Sequence, residues 1–254
     1  DGCTGFTGGM NISDNYLNKP DRKKYWRDMH VRIDGPGIYY LQYLFICDWQ
    51  FCSGESLGAD DMLLPPQSPI QSDTVVQIAA SGPDSDQPAI LYSMLQAINL
   101  AEKEILITTP YFIPGESLLH AISIAALSGL NVKLLVPYRS DSRIVNAAAR
   151  SYYADLLDAG VEIYLYKKGF VHSKTLVADG MLTVIGSANM DYRSFELNFE
   201  VNAFIYDREI AGNMRSIFMK DIENAVRIDP EAWANRRFYK VLWEKVARMA
   251  SPLM

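Results

Sequence analysis

Val171-His172-Ser173-Lys174-Thr175-Leu176-Val177-Ala178-Asp179-Gly180, continued by Gly186-Ser187-Ala188-Asn189, is the stretch on which the reading of the chain turns. It occurs twice. Asp1-Gly2, Gly8 and Asn11 match Asp179-Gly180, Gly186 and Asn189 with every interval preserved. Continuing the comparison sets the run 26–33 opposite 198–205, so that Asp28 faces Glu200, with a longer connection in the first copy. In the second copy His172 and Lys174 precede the Asp. Their counterparts would stand seven and five positions before Asp1, outside the sequence.

Working outward, short apolar runs alternate with helical patterns. Strands are expected at 74–80, 104–109, 132–137, 161–166, 174–178 and 182–185. Helices are expected at 88–103, 116–128, 142–159 (ended by Gly160), 208–226 and 230–248. Such alternation predicts an α/β fold with a mixed or largely parallel sheet. Before it, 37–51 suits a buried helix, and 52–73, with Pro65-Pro66 and Pro69, predicts a linker. The chain therefore divides near Gln71: 1–70 as the remainder of a first lobe plus linker, and 71–254 as a second lobe with the complete motif.

The 254 residues, 49 % hydrophobic, suffice for a substantial core. A formal charge of −6 argues against a broad basic face, so no nucleic acid is expected. Cys3, Cys47 and Cys52 form no disulfide framework, and three histidines form no metal signature. The longest apolar run, 38–47, is well short of the roughly 20 residues of a bilayer span. The basic amphipathic pattern of 230–248 suits an anionic membrane surface, but more simply a helix packed on the sheet.

His172-x-Lys174-x4-Asp179 with Gly186-Ser187-Ala188-Asn189 resembles the HKD motif of the phospholipase D superfamily. Gly8-Gly9-Met10-Asn11, Trp26-Arg27-Asp28, 109–114, 191–200 and Ser251-Pro252-Leu253 look like bacterial cardiolipin synthases, in their C-terminal portion. The resemblance implies two pseudo-equivalent lobes, each a mixed sheet flanked by helices, with the site where they meet. It implies transfer of a phosphatidyl group between phosphatidylglycerol molecules through a phosphohistidine, with no cofactor or metal. It also implies a peripheral place at the cell membrane, with any anchor upstream. The fragment alone is expected to be inactive. A phospholipase D-type hydrolase or nuclease, or a non-catalytic lipid-associated module, stands as the alternative.

The catalytic candidates are His172, Lys174, Asp179 and Asp1. By the family pattern His172 is the general acid and the first-lobe histidine the nucleophile. Lys174, two residues away on one strand face, binds a phosphate oxygen. Asn189 is expected to donate to the phosphate, and Glu200 to hold the His172 imidazole as Asp28 holds the missing one. Asn11 is the first-copy counterpart of Asn189. Asp179, at an odd spacing, suits a structural role, and Ser187 a supporting one. His30 and His120 are expected to be structural. Tyr111, Phe112, Tyr192 and Phe195 divide evenly between core and pocket lining.

Overall fold

The computed structural model describes residues 2–20, 25–57 and 72–251, so Asp1 and the predicted boundary at Gln71 lie outside the described residues. The first segment holds β1 (Thr4–Gly8), β2 (Tyr25–Arg27), β3 (His30–Asp34) and α1 (Tyr39–Ser53). The second runs β4 (Val75–Ser81), α2 (Ala89–Leu100), β5 (Glu104–Thr108), β6 (Phe112–Ile113), α3 (Glu116–Leu127), β7 (Asn131–Pro137) and α4 (Arg143–Asp158). It continues through β8 (Glu162–Tyr166), β9 (Gly169–Val171), β10 (Thr175–Ala178), β11 (Leu182–Gly186), β12 (Met190–Asp191), α5 (Tyr192–Glu196) and β13 (Glu200–Tyr206). It closes with α6 (Arg208–Glu223), β14 (Ala225–Arg227), α7 (Pro230–Ala234) and α8 (Phe238–Arg248).

One large sheet, ordered β14-β8-β7-β5-β10-β11-β13-β4, organises the second segment. Helices α3 and α4 make the crossovers that let β5, β7 and β8 run parallel, while β10, β11, β13 and β4 follow antiparallel. The strands read as nearly continuous apolar runs because both faces are covered. Along β5, Ile105 and Ile107 enter the layer under α2, α3 and α4, and Leu106 enters the layer under α6 with Ala211, Met214 and Phe218. Helix α4 starts where Ser142 accepts the Val145 N–H, and α6 where Asp207 accepts those of Glu209 and Ile210.

The repeat is present in the backbone. In β1 and β3, Gly8 stands opposite His30, and in β11 and β13, Gly186 stands opposite Asn202, the same register at the positions the repeat equates. Ile33 and Ile38 of the first segment join the layer containing Ile185 and Ile205, so the two segments share apolar packing. Strand β2 pairs in parallel with β9, Trp26 opposite Phe170 and Arg27 opposite Val171. A two-oxygen ion pair from Arg27 to Asp221 fastens the same strand to α6.

Two helical expectations require correction. Helix α1 forms, and reaches into the expected linker as far as Ser53, but only Ile46 is buried; Tyr39, Tyr43, Phe45, Trp49 and Phe51 are exposed. Its apolar residues surround the axis, and only one stripe can pack inward, with Leu41 over Gly5 of β1. The span 230–248 is two helices because the chain unwinds after α7, letting Arg236 fold back over Trp233 at 3.5 Å and meet Glu244 at 2.8 Å.

Asp179 has its work in this frame. At φ 53° it turns the chain between β10 and β11, and its carboxylate accepts the backbone N–H groups of Glu102, Lys103 and Glu104 at 2.7–2.9 Å. Burial works to raise its pKa and is outweighed by these three donors, which hold it below the ordinary carboxylate value. Asp179→Ala is expected to cost roughly 2–4 kcal/mol of stability, read by denaturant unfolding. The contribution is present at neutral pH and disappears as pH falls through the lowered pKa. Unchanged stability would remove this role.

Candidate active site

His172 lies between β9 and β10, at the end of the sheet where β5 delivers Thr108. Its N–H donates to the Arg27 carbonyl at 2.7 Å, continuing the β2–β9 pairing and setting the imidazole against the first segment. There Nδ1 meets Asp28 Oδ2 at 2.7 Å, both side chains being largely buried. Asp28 Oδ1 accepts the Met29 N–H at 2.7 Å, which fixes the carboxylate. A carboxylate can only accept, so Nδ1 carries the proton and Nε2 is the nitrogen left for chemistry.

This reverses the expected pairing. Asp28, not Glu200, holds His172, because β2 brings Asp28 across to the second segment. Glu200 is partnered by the side chains of Ser187 and Asn198, and burial raises its pKa.

Aromatic groups surround the imidazole. Tyr16 Oη lies 3.3 Å from Nδ1, and the rings of Tyr16, Trp26 and Phe170 stand 5.6–5.9 Å from that of His172. Burial raises the Tyr16 pKa, and the Asp28 charge adds to it, so the phenol keeps its proton. Tyr16 was missed because the loop carrying it has no counterpart in the second copy.

Lys174 is 6 % exposed and donates to the His172 carbonyl at 2.7 Å. Its Nζ lies 2.9 and 3.0 Å from the two ring nitrogens. Those nitrogens point apart in the ring plane, so the ammonium lies alongside the imidazole and is not bonded to both. Burial pushes its pKa down to about 8, against the opposing pull of Asp28, Glu200 and Asp191. A buried ammonium among carboxylates is suited to receive a phosphate oxygen. Its lowered pKa also means that the charged form opposes folding at neutral pH, an opposition relieved as pH rises towards 10.5.

Asn189 and its neighbours line a cavity of about 480 Å³ with Tyr111, Asp141, Asp191 and Arg193. Asn189 Nδ2 donates to Ser194 Oγ at 3.2 Å, while its Oδ1 is buried without a partner. Asp191 caps α5 by accepting the Ser194 N–H, and burial raises its pKa. Ser187 Oγ accepts the Val201 N–H at 2.9 Å, clasping its loop to β13. Asn11 is exposed, its carbonyl accepting the Ser13 N–H. His120 is exposed on α3, while His30 is half-buried in β3 with Nδ1 unpartnered. Phe112 and Phe195 are core; Tyr111 faces the cavity and bonds Asp141 at 2.6 Å. Gly9 explains why the copies differ opposite Ser187: a side chain there would run into the Asp28 carboxylate and crowd Lys174.

Known proteins resemble the chain in sequence and in fold. The chain is 45 % identical over all 254 residues to a cardiolipin synthase of Geobacillus kaustophilus, covering 51 % of it. It is 41 % identical over the same length to that of Listeria innocua, covering 53 %. The chain thus spans about half the length of the curated relatives it matches, their C-terminal portion. Among solved structures, phosphatidylserine synthase from Haemophilus influenzae superposes over the whole chain and 69 % of its own, with TM-score 0.70 at 14 % identity. Nuc from Salmonella typhimurium, a phospholipase D family member, covers 61 % of the chain and 99 % of its own, with TM-score 0.52 at 18 % identity. Residues 94–222 match the family described as cardiolipin synthase, PLD-like domain, and the chain belongs to that family.

Proposed function

We propose that the chain carries the acid–base and phosphate-binding half of a phosphatidyl-transfer site, in a protein that makes cardiolipin from two molecules of phosphatidylglycerol. The observation that carries the reading is the 2.7 Å contact of Asp28 with His172 Nδ1, beside a buried lysine.

In this reading residues 1–70 and 71–254 are two lobes of one site. A histidine upstream of Asp1 attacks the phosphorus of the first phosphatidylglycerol, forming a phosphohistidine as the bond to glycerol breaks. His172, entering this step as the imidazolium with a second proton on Nε2, gives that proton to the departing glycerol and is left as the Nδ1–H imidazole. It then takes the hydroxyl proton of the second phosphatidylglycerol, whose oxygen attacks the phosphohistidine and releases cardiolipin. Lys174 binds a phosphate oxygen. Turning the Asn189 amide over lets Oδ1 accept the Ser194 hydroxyl proton and frees Nδ2 as a second donor. Glu200, without a histidine among the described residues, is the mate of the upstream one. Asp1 takes the place of Asp179 in the first lobe, and Ser187 and Asn11 support their loops.

Inorganic phosphate tests the site directly in the chain as it stands. Titration followed by calorimetry should show binding at neutral pH that weakens about tenfold per pH unit above about 8, as Lys174 loses its proton. Lys174→Met should abolish it. Binding indifferent to both pH and Lys174 would reject the assignment.

A further inference from the structure

Helix α8 is turned inside out. Its buried face carries Glu244, which receives Arg150 at 3.0 Å and Arg236 at 2.8 Å, and both guanidinium groups stack on Trp233. Arg248 adds an ion pair to Asp155 at 2.9 Å and lies over Tyr152. These contacts lock the charged side against α4. The outward side is therefore fixed, and it is apolar: Phe238, Tyr239, Leu242, Trp243, Val246 and Met249 are exposed, Phe238 to 77 % and Met249 to 83 %.

At about 100° per residue these six side chains occupy an arc of about 140°. Lys245 flanks one edge and Lys240 the other, with Arg237 at the start of the helix. All three are exposed, and among the described residues none forms an ion pair. The helix has one carboxylate, Glu244, and it points inward. An apolar arc bordered by unpaired cations matches an interface that is apolar below and anionic above. A second copy of the same face would set lysine against lysine with no carboxylate to answer them.

We propose that α8 is a membrane-docking surface, lying in the headgroup region of an anionic bilayer with its aromatic and aliphatic arc in the acyl boundary and Lys240 and Lys245 at phosphate level. Behind the arc, Arg248 and Ser251 line a recess of about 300 Å³ with Ile113, Pro114 and Tyr192. The proposal is independent of the chemistry at His172, because docking is measured without turnover.

The test is co-sedimentation of the 254-residue chain with phosphatidylcholine vesicles, and with vesicles of phosphatidylcholine and phosphatidylglycerol in equal parts. Binding should be at least about tenfold stronger to the anionic vesicles. Leu242→Ser with Trp243→Ser should lower it by about tenfold or more, and Lys240→Glu with Lys245→Glu should erase the anionic preference. Tyr43→Ser with Trp49→Ser, on the exposed face of α1, should leave binding unchanged. Wild-type binding by both α8 variants would overturn the proposal. So would vesicle binding absent throughout, with a self-association seen in sedimentation velocity that the α8 variants abolish.

Discussion

His172→Ala is expected to lower cardiolipin formation at least about a thousandfold in a chain that joins this sequence to the N-terminal half of its Geobacillus kaustophilus relative. In the proposed reaction the imidazole gives its proton to departing glycerol, whose alkoxide is too basic to leave unaided. The loss should depend on the leaving group. With a p-nitrophenyl phosphodiester, whose phenolate leaves without a proton, the release of p-nitrophenol in the first turnover should fall by no more than about tenfold. Wild-type synthesis by the variant would remove His172 from the mechanism. Equal losses with both substrates would reassign it as the nucleophile or as a structural group.

Asp28→Asn should lower the same activity by between about a hundredfold and ten-thousandfold, mainly in kcat, although the side chain keeps its shape. The carboxylate fixes Nδ1 as the protonated nitrogen and, in the proposed reaction, stabilises the imidazolium formed when the acceptor hydroxyl is deprotonated. An amide offers no charge and can present a donor to Nδ1, favouring the wrong tautomer. The chain itself provides a second readout. Nitrogen NMR should show His172 protonated at Nδ1, a state lost in Asp28→Asn and retained in Glu200→Gln. Loss in Glu200→Gln alone would restore the pairing that equivalence of the two copies first suggests.

That mistaken pairing shows where the sequence is legible. The alternation of apolar runs and helical patterns places the central sheet, because its strands are buried on both faces and its helices begin at identifiable caps, Ser142 and Asp207 among them. The His-x-Lys-x4-Asp motif singles out His172, Lys174 and Asp179, and the repeat carries even the register of β1 on β3. It cannot show that Asp28 of the first copy meets His172 of the second. That contact depends on β2 lying beside β9, a short parallel pairing between residues far apart in the chain. Exposure is equally hidden: α1 and α8 read as apolar and amphipathic helices, yet which side faces outward depends on tertiary partners such as Arg150 and Trp233. Tyr16 belongs to neither pattern and is found only by its 3.3 Å approach to the imidazole.

The most direct test of phosphatidyl transfer is mass spectrometry of the lipids formed by the joined chain from phosphatidylglycerol vesicles in ¹⁸O-water. Cardiolipin without ¹⁸O and an equal amount of free glycerol are expected if the second lipid's hydroxyl resolves the proposed phosphohistidine. Phosphatidic acid carrying ¹⁸O as the main product would contradict it, making water the acceptor and the protein a hydrolase.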